Sequence, residues 1–157
     1  MEDGKSKVYD ELVGQIASLI AGETDETAVL ANVTAVMASA FPNWLWTGFY
    51  LVRNDHLTVG PFQGPVACFH IKKGKGVCGT AWERNATVVV DDVEQFPGHI
   101  ACSSLSRSEI VVPMHDAKGN VVGVLDVDSP ELCTFDHTDK AYMERMVLLI
   151  SEELYKK

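Results

Sequence analysis

The chain has 157 residues, enough for one domain whose core needs no disulfide or metal to hold it. It carries 22 acidic against 13 basic side chains, a net charge of -9, on a composition that is 46% hydrophobic. That balance argues against nucleic acid and anionic membranes as partners, and the densest basic cluster, "IKKGK" at 71–75, is too small to offset it.

The N-terminus, "MEDGKSKVYDEL", is charged and lacks the apolar region of a signal peptide. No run of about 18 apolar residues follows, so no membrane span is expected. The expected location is cytoplasmic, where cysteines rest reduced unless a disulfide belongs to a catalytic cycle.

Residues 5–21 read as an amphipathic helix, with Val8, Leu12, Ile16, Leu19 and Ile20 at helical spacing. A second helix is expected over 25–40, capped by Thr24 or Asp25 and ended by Phe41-Pro42. The period then changes to that of strands. "WTGFYLVRND" and "HLTVGPF" flank an Asn54-Asp55 turn, and "VACFHI" is a third strand. A glycine-rich loop and a short helix follow near 76–84, and "TVVVDD" at 87–92 is a fourth strand. "SEIVVPMHD" and "NVVGVLDVDS" form a hairpin around "AKG". The segment 137–155 is helical, with Asp136 as its cap and Asp139 in its first turn. Short turns join most strands, so the expected fold is one α+β domain over 1–157. It has a mainly antiparallel sheet of about six strands, with N- and C-terminal helices on one face.

Residues i and i+2 of a strand share a face, so Asp126 and Asp128 point the same way. A hairpin loop of Asp116 to Gly119 pairs Glu109 with Asp126, and a two-residue loop pairs it with Asp128. Either even loop converges three carboxylates on one face, and an odd loop breaks the alignment. Such a cluster is a solvated sheet end, a cation or ammonium site, or a set of acids sharing a proton. A divalent metal and an organic ammonium group would fit such a site equally well.

The four cysteines, Cys68, Cys78, Cys102 and Cys133, have no CxxC or zinc-finger spacing, and no metal site is expected. Cys68, in an apolar strand, reads as a small buried hydrophobe. Cys102 stands apart because its neighbours in "HIACSSLS" are mostly small or polar, which leaves a thiol accessible. His99 or a helix start just after it would favour the thiolate. "GKGVCG" at 74–79 matches G-x-G-x-x-G but lacks a βαβ frame, so its glycines read as a close approach of backbone to a ligand. Trp46 and Tyr50 share a strand face, either as core or as an aromatic wall for a small ligand.

Together, "GPFQGPVACFHIKKGKGVCGTAW", "VEQFPGHIACSSLSRSEIVVP", "GVLDVDSP" and "FDHTDK" resemble the free methionine-(R)-sulfoxide reductases, single-domain enzymes of the GAF fold. The resemblance implies that Cys102 attacks the sulfoxide sulfur of free methionine-(R)-sulfoxide and becomes a sulfenic acid. It implies Cys68 as the main resolving cysteine, Cys78 as an alternative, and thioredoxin as the reductant, with no other cofactor. Glu109 matches the position of the general acid, and Asp126 and Asp128 would hold the substrate ammonium. Trp46 and Tyr50 would enclose the S-methyl end, and backbone N–H groups near Gly76–Gly79 or in the 98–104 loop would meet the carboxylate. A homodimer fits the family. Cys133 matches no family cysteine. The competing readings are a GAF module that senses a small molecule without turnover, and a purely structural protein.

Overall fold

The computed structural model describes residues 2–99 and 105–156. In chain order the elements are α1 (Glu2–Ile20), α2 (Glu26–Ala40), β1 (Trp46–Arg53), β2 (His56–Gln63), β3 (His70–Lys72), α3 (Gly76–Arg84), β4 (Val88–Val90), β5 (Ser108–His115), β6 (Val121–Ser129) and α4 (His137–Leu154). The six strands form one sheet in the order β3-β2-β1-β6-β5-β4, and every neighbouring pair is antiparallel. The α+β expectation and its strand count hold.

Alternation along the strands splits the molecule into two cores. On one face, Phe49, Leu51, Ile110, Val112, Met114, Leu125 and Val127 pack against α1, α2 and α4. On the other, Trp46, Tyr50, Val111 and Val124 pack against Val77, Cys78, Ala81 and Trp82 of α3. The terminal helices therefore share one face as expected, and among the described residues α3 covers the other, joined by Val93 of a 3-10 turn.

Local chemistry sets the helix ends. The Asp25 carboxylate accepts from Ala28 N at 2.9 Å to start α2. Asp136 and Asp139 form a reciprocal capping box at the start of α4. The buried stripe of α1 is Tyr9, Leu12, Ile16 and Ile20, whereas Leu19 is 40% exposed. Tyr9 belongs to this stripe although its hydroxyl is polar, because it donates to the buried Asp139.

Two strands are shorter than the sequence pattern suggests. "VACFHI" forms β3 only from His70, and residues 64–69 are a loop. Gly64, at φ 139°, and Pro65, which has no N–H to give, stop the ladder there. "TVVVDD" shortens to Val88–Val90, because Asp92 turns the chain and caps a 3-10 turn at Val93–Gln95. Among the described residues no helix is long and apolar enough to cross a membrane.

Candidate active site

The hairpin between β5 and β6 decides the site. Its connection, residues 116–120, is odd, organised by the Asp116 side chain, which accepts from Lys118 N at 2.9 Å and Asn120 N at 3.0 Å. An odd loop alone would put Glu109 on the wrong face. A register shift between Met114 and His115 restores the alignment, so Glu109 pairs with Asp128 and Val111 with Asp126. β1 runs on the other side of β6, with Trp46 opposite Asp128 and Gly48 opposite Asp126. Trp46, Tyr50, Glu109, Asp126 and Asp128 therefore share one face, on the α3 side of the sheet.

These five residues line one cavity of about 50 Å³, together with Val66, Ala67, Ile71, Gly76, Val77, Cys78, His99 and Ser106. Trp46 stacks on Tyr50 and on Phe62, with ring centroids 5.7 and 5.0 Å away. Phe62 lies in the stretch "GPFQGPVACFHIKKGKGVCGTAW", but no spacing marks it as a site residue. It reaches Trp46 because β1 has glycine at position 48, where a Cβ would lie 2.3 Å from the Cβ of Phe62. Gly79, the last glycine of "GKGVCG", lets α3 close on β3, since a Cβ there would lie 2.4 Å from the Lys72 carbonyl oxygen. That places the first turn of α3 at the cavity, where helix geometry leaves N–H groups without intrahelical partners.

The three acids are not a solvated sheet end. Glu109 and Asp126 are 6% and 5% exposed. The Glu109 carboxyl lies within interaction range of both aspartates, and each carboxyl–carboxyl hydrogen bond needs its own proton. Burial, and then the charges of Asp126 and Asp128, push the Glu109 pKa well above the usual carboxylate range. Burial raises Asp128 likewise, with the Asp126 charge adding to it, and burial raises Asp126. Ser106, to which the sequence pattern gives no role, donates to Asp128 Oδ1 at 3.2 Å. The Cys78 thiol donates to Asp126. The remaining Asp126 oxygen, Oδ1, is buried and has no hydrogen-bond partner. Among the described residues no ion pair involves any of the three acids.

A buried, uncompensated acid set of this kind selects a cation. The Cys78 sulfur and carboxylate oxygens of Glu109 and Asp126 lie within 4.8 Å of one another, so a metal ion could also be held there. The unpartnered Oδ1 fits an ammonium group equally well.

The cysteines separate clearly. Cys68 is half-buried in the 64–69 loop and is disulfide-bonded, so it is neither the strand residue nor the inert thiol that its apolar neighbours suggested. Cys78 is a free, buried thiol, and burial and the carboxylates of Asp126, Glu109 and Asp128 push its pKa up. Cys133 is free and exposed, at φ 55°. Cys102 lies outside the described residues. His99 lines the cavity, but burial lowers its pKa, so it is a neutral neighbour rather than a cationic one.

A GAF domain model matches residues 23–153. A free methionine-R-sulfoxide reductase from Escherichia coli is 41% identical over 157 residues, covering 98% of this chain and 94% of that protein. This chain belongs to the GAF-domain family of free methionine-R-sulfoxide reductases. The X-ray structure of the family member from Neisseria meningitidis, in complex with its substrate, matches with a TM-score of 0.92 and 51% identity. That match covers 95% of this chain and 89% of the other. GAF domain-containing protein A of Dictyostelium discoideum is 52% identical over 147 residues, covering 93% of this chain and 92% of that protein. In this member the cavity is built from a sheet face, one short helix and the 64–69 loop.

Proposed function

We propose that this protein reduces free L-methionine-(R)-sulfoxide to L-methionine in a thiol-dependent cycle. The observation that carries the reading is the acid trio of buried Glu109 and Asp126 with half-buried Asp128, with Asp126 Oδ1 unpartnered, beside the aromatic wall and a disulfide-bonded cysteine. The family relationship supports it: the Neisseria meningitidis relative was crystallised with its substrate.

The substrate ammonium docks on Asp126 and Asp128 and donates to Oδ1. Its carboxylate meets the N–H groups of the first turn of α3, which stop short of Gly79, whose own N–H is taken by the Lys75 carbonyl at 2.9 Å. Trp46 and Tyr50 enclose the S-methyl end. Glu109, kept neutral by burial and by its acid neighbours, gives its proton to the sulfoxide oxygen as the Cys102 thiolate attacks sulfur. The protonated oxygen then passes from the substrate sulfur to the Cys102 sulfur as the substrate S–O bond and the new Cys102–substrate sulfur bond break, so methionine leaves and Cys102 is left as a sulfenic acid. The Cys68 thiol then attacks that sulfenic sulfur, water leaves, and a Cys68–Cys102 disulfide forms. Cys78 is the reserve resolver, and its raised pKa makes it the slower one. A dithiol such as thioredoxin returns the disulfide to two thiols, and the cycle uses no metal or organic cofactor.

The test is methionine release from the free R epimer with dithiothreitol, run beside the S epimer, an N-acetylated R sulfoxide and Cys102→Ser. Turnover of the free R epimer alone, abolished in the variant, is expected. Binding of the free amino acid without turnover would reassign the chain as a sensor.

A further inference from the structure

A Cys68 disulfide must be opened from outside, and the surface around it has an unusual composition. The loop 64–69 exposes two large apolar side chains on either side of Cys68: Val66 is 85% exposed and Phe69 73%. Neither is loose. The Trp46 indole Nε1 donates to the Pro65 carbonyl at 3.1 Å, and Val59 N donates to the Phe69 carbonyl at 2.9 Å. The loop is thus pinned just before Val66 and at Phe69 while their side chains face solvent. Single exposed apolar residues are ordinary, but two held rigidly around one redox cysteine are a contact surface.

The charge changes sign in the same place. Residues 60–82 contain no Asp or Glu, in a chain of net charge -9. Lys72, Lys73 and Lys75 come after Phe69, His70 and Ile71 and are all exposed, with Asp55 the acid within electrostatic reach of Lys72. Lys73 lies over the Trp82 ring at 5.1 Å, which leaves Lys72 and Lys75 toward solvent. An apolar centre with a basic rim fits an apolar partner surface with an acidic rim.

We propose that Val66 and Phe69, with Lys72 and Lys75 beside them, form the docking surface for the protein dithiol that recycles the enzyme. This rests on the catalytic cycle proposed above. In the docked complex a partner thiolate attacks the Cys68 sulfur, the Cys68–Cys102 bond breaks, and Cys102 leaves as a thiolate and takes up a proton. The partner's second thiol then attacks the mixed disulfide and Cys68 leaves as a thiol. The partner ends as the disulfide, and two electrons and two protons have crossed.

Steady-state rates on saturating free methionine-(R)-sulfoxide separate docking from chemistry, because dithiothreitol needs no docking surface. Wild type, Phe69→Ser and Lys72→Glu are compared with dithiothreitol and with thioredoxin recycled by thioredoxin reductase and NADPH. The KM for thioredoxin should rise about 5-fold or more in each variant, the effect of losing one interface contact. The dithiothreitol rate should stay within about 2-fold, and added salt should weaken thioredoxin use more in wild type than in Lys72→Glu. An unchanged thioredoxin KM in Phe69→Ser overturns the proposal. So does wild type that turns over with dithiothreitol but not with thioredoxin. If Phe69→Ser splits a dimer in sedimentation while its thioredoxin KM holds, the face belongs to a second copy of this chain and the proposal falls. Wild type that is silent with dithiothreitol as well removes the catalytic reading itself, and the docking surface with it.

Discussion

Glu109 shows how a single residue acquires its chemistry from its neighbours. In water its carboxyl would be ionised at pH 7 and could not donate a proton. Burial and two adjacent aspartates raise its pKa, so the neutral, donating form persists toward neutrality. The same burial makes stability depend on pH. The folded protein binds more protons here than the unfolded chain does, so stability falls as pH rises above about 4.5, the unperturbed value, and levels off past the raised folded pKa. A tenfold gain in proton affinity on folding is worth about 1.4 kcal/mol. Glu109→Gln should therefore show a flatter fall of Tm with pH than wild type, and a free-amino-acid ligand should stabilise the wild type more. Its kcat should fall by about 10²- to 10⁴-fold, the usual worth of a general acid. Thermal unfolding from pH 5 to 9 and initial rates check both. A Tm profile parallel to wild type would mean that Glu109 is not the group holding the extra proton.

At the scale of elements, the contact between α1 and α4 is polar at its buried centre. Asp139 receives the Tyr9 hydroxyl at 2.5 Å and Lys5 Nζ at 2.7 Å while accepting from the Asp136 N–H at 2.9 Å. Tyr9 also stacks on Tyr142 and tilts against Phe41, so one ring ties α1 to α4 and to the end of α2. Tyr9→Phe keeps the ring and removes the hydrogen bond to a carboxylate. It should cost about 1.5–3 kcal/mol in urea denaturation. Turnover should be unaffected, because this contact lies on the helical side of the sheet.

The whole molecule divides its work between the two faces of one sheet. The face toward α1, α2 and α4 is a packed apolar core, and the other is interrupted by three acids and a cavity. Leu30, fully buried under the helical face, should illustrate the division. Leu30→Ala should lower stability by about 2–5 kcal/mol while leaving the KM for the sulfoxide within about 2-fold. Equilibrium unfolding and steady-state kinetics on one preparation test this, and a large KM change would show that the faces are mechanically coupled.

Much of this protein is written locally. The caps Asp25 and Asp136, the Asn54 turn and the alternation in "VVGVLDVDS" need only neighbouring residues, and each forms as the sequence indicates. The shared face of Asp126 and Asp128 follows from the strand period alone. The partner of those acids does not. Whether Glu109 joins them depends on one bulged position after an odd turn, and a single residue of slip would have moved it to the helical face. The 64–69 loop is a second case, since Gly64 and Pro65, and a ladder that starts only at His70, override a β-like pattern. Phe62, which stacks on Trp46, and Ser106, which lines the cavity, are a third, because they come from other segments with no shared spacing. Periodicity fixes which way a side chain points along its own strand. Register, bulges and close approach between strands decide what it meets, and those are set by packing across the sheet.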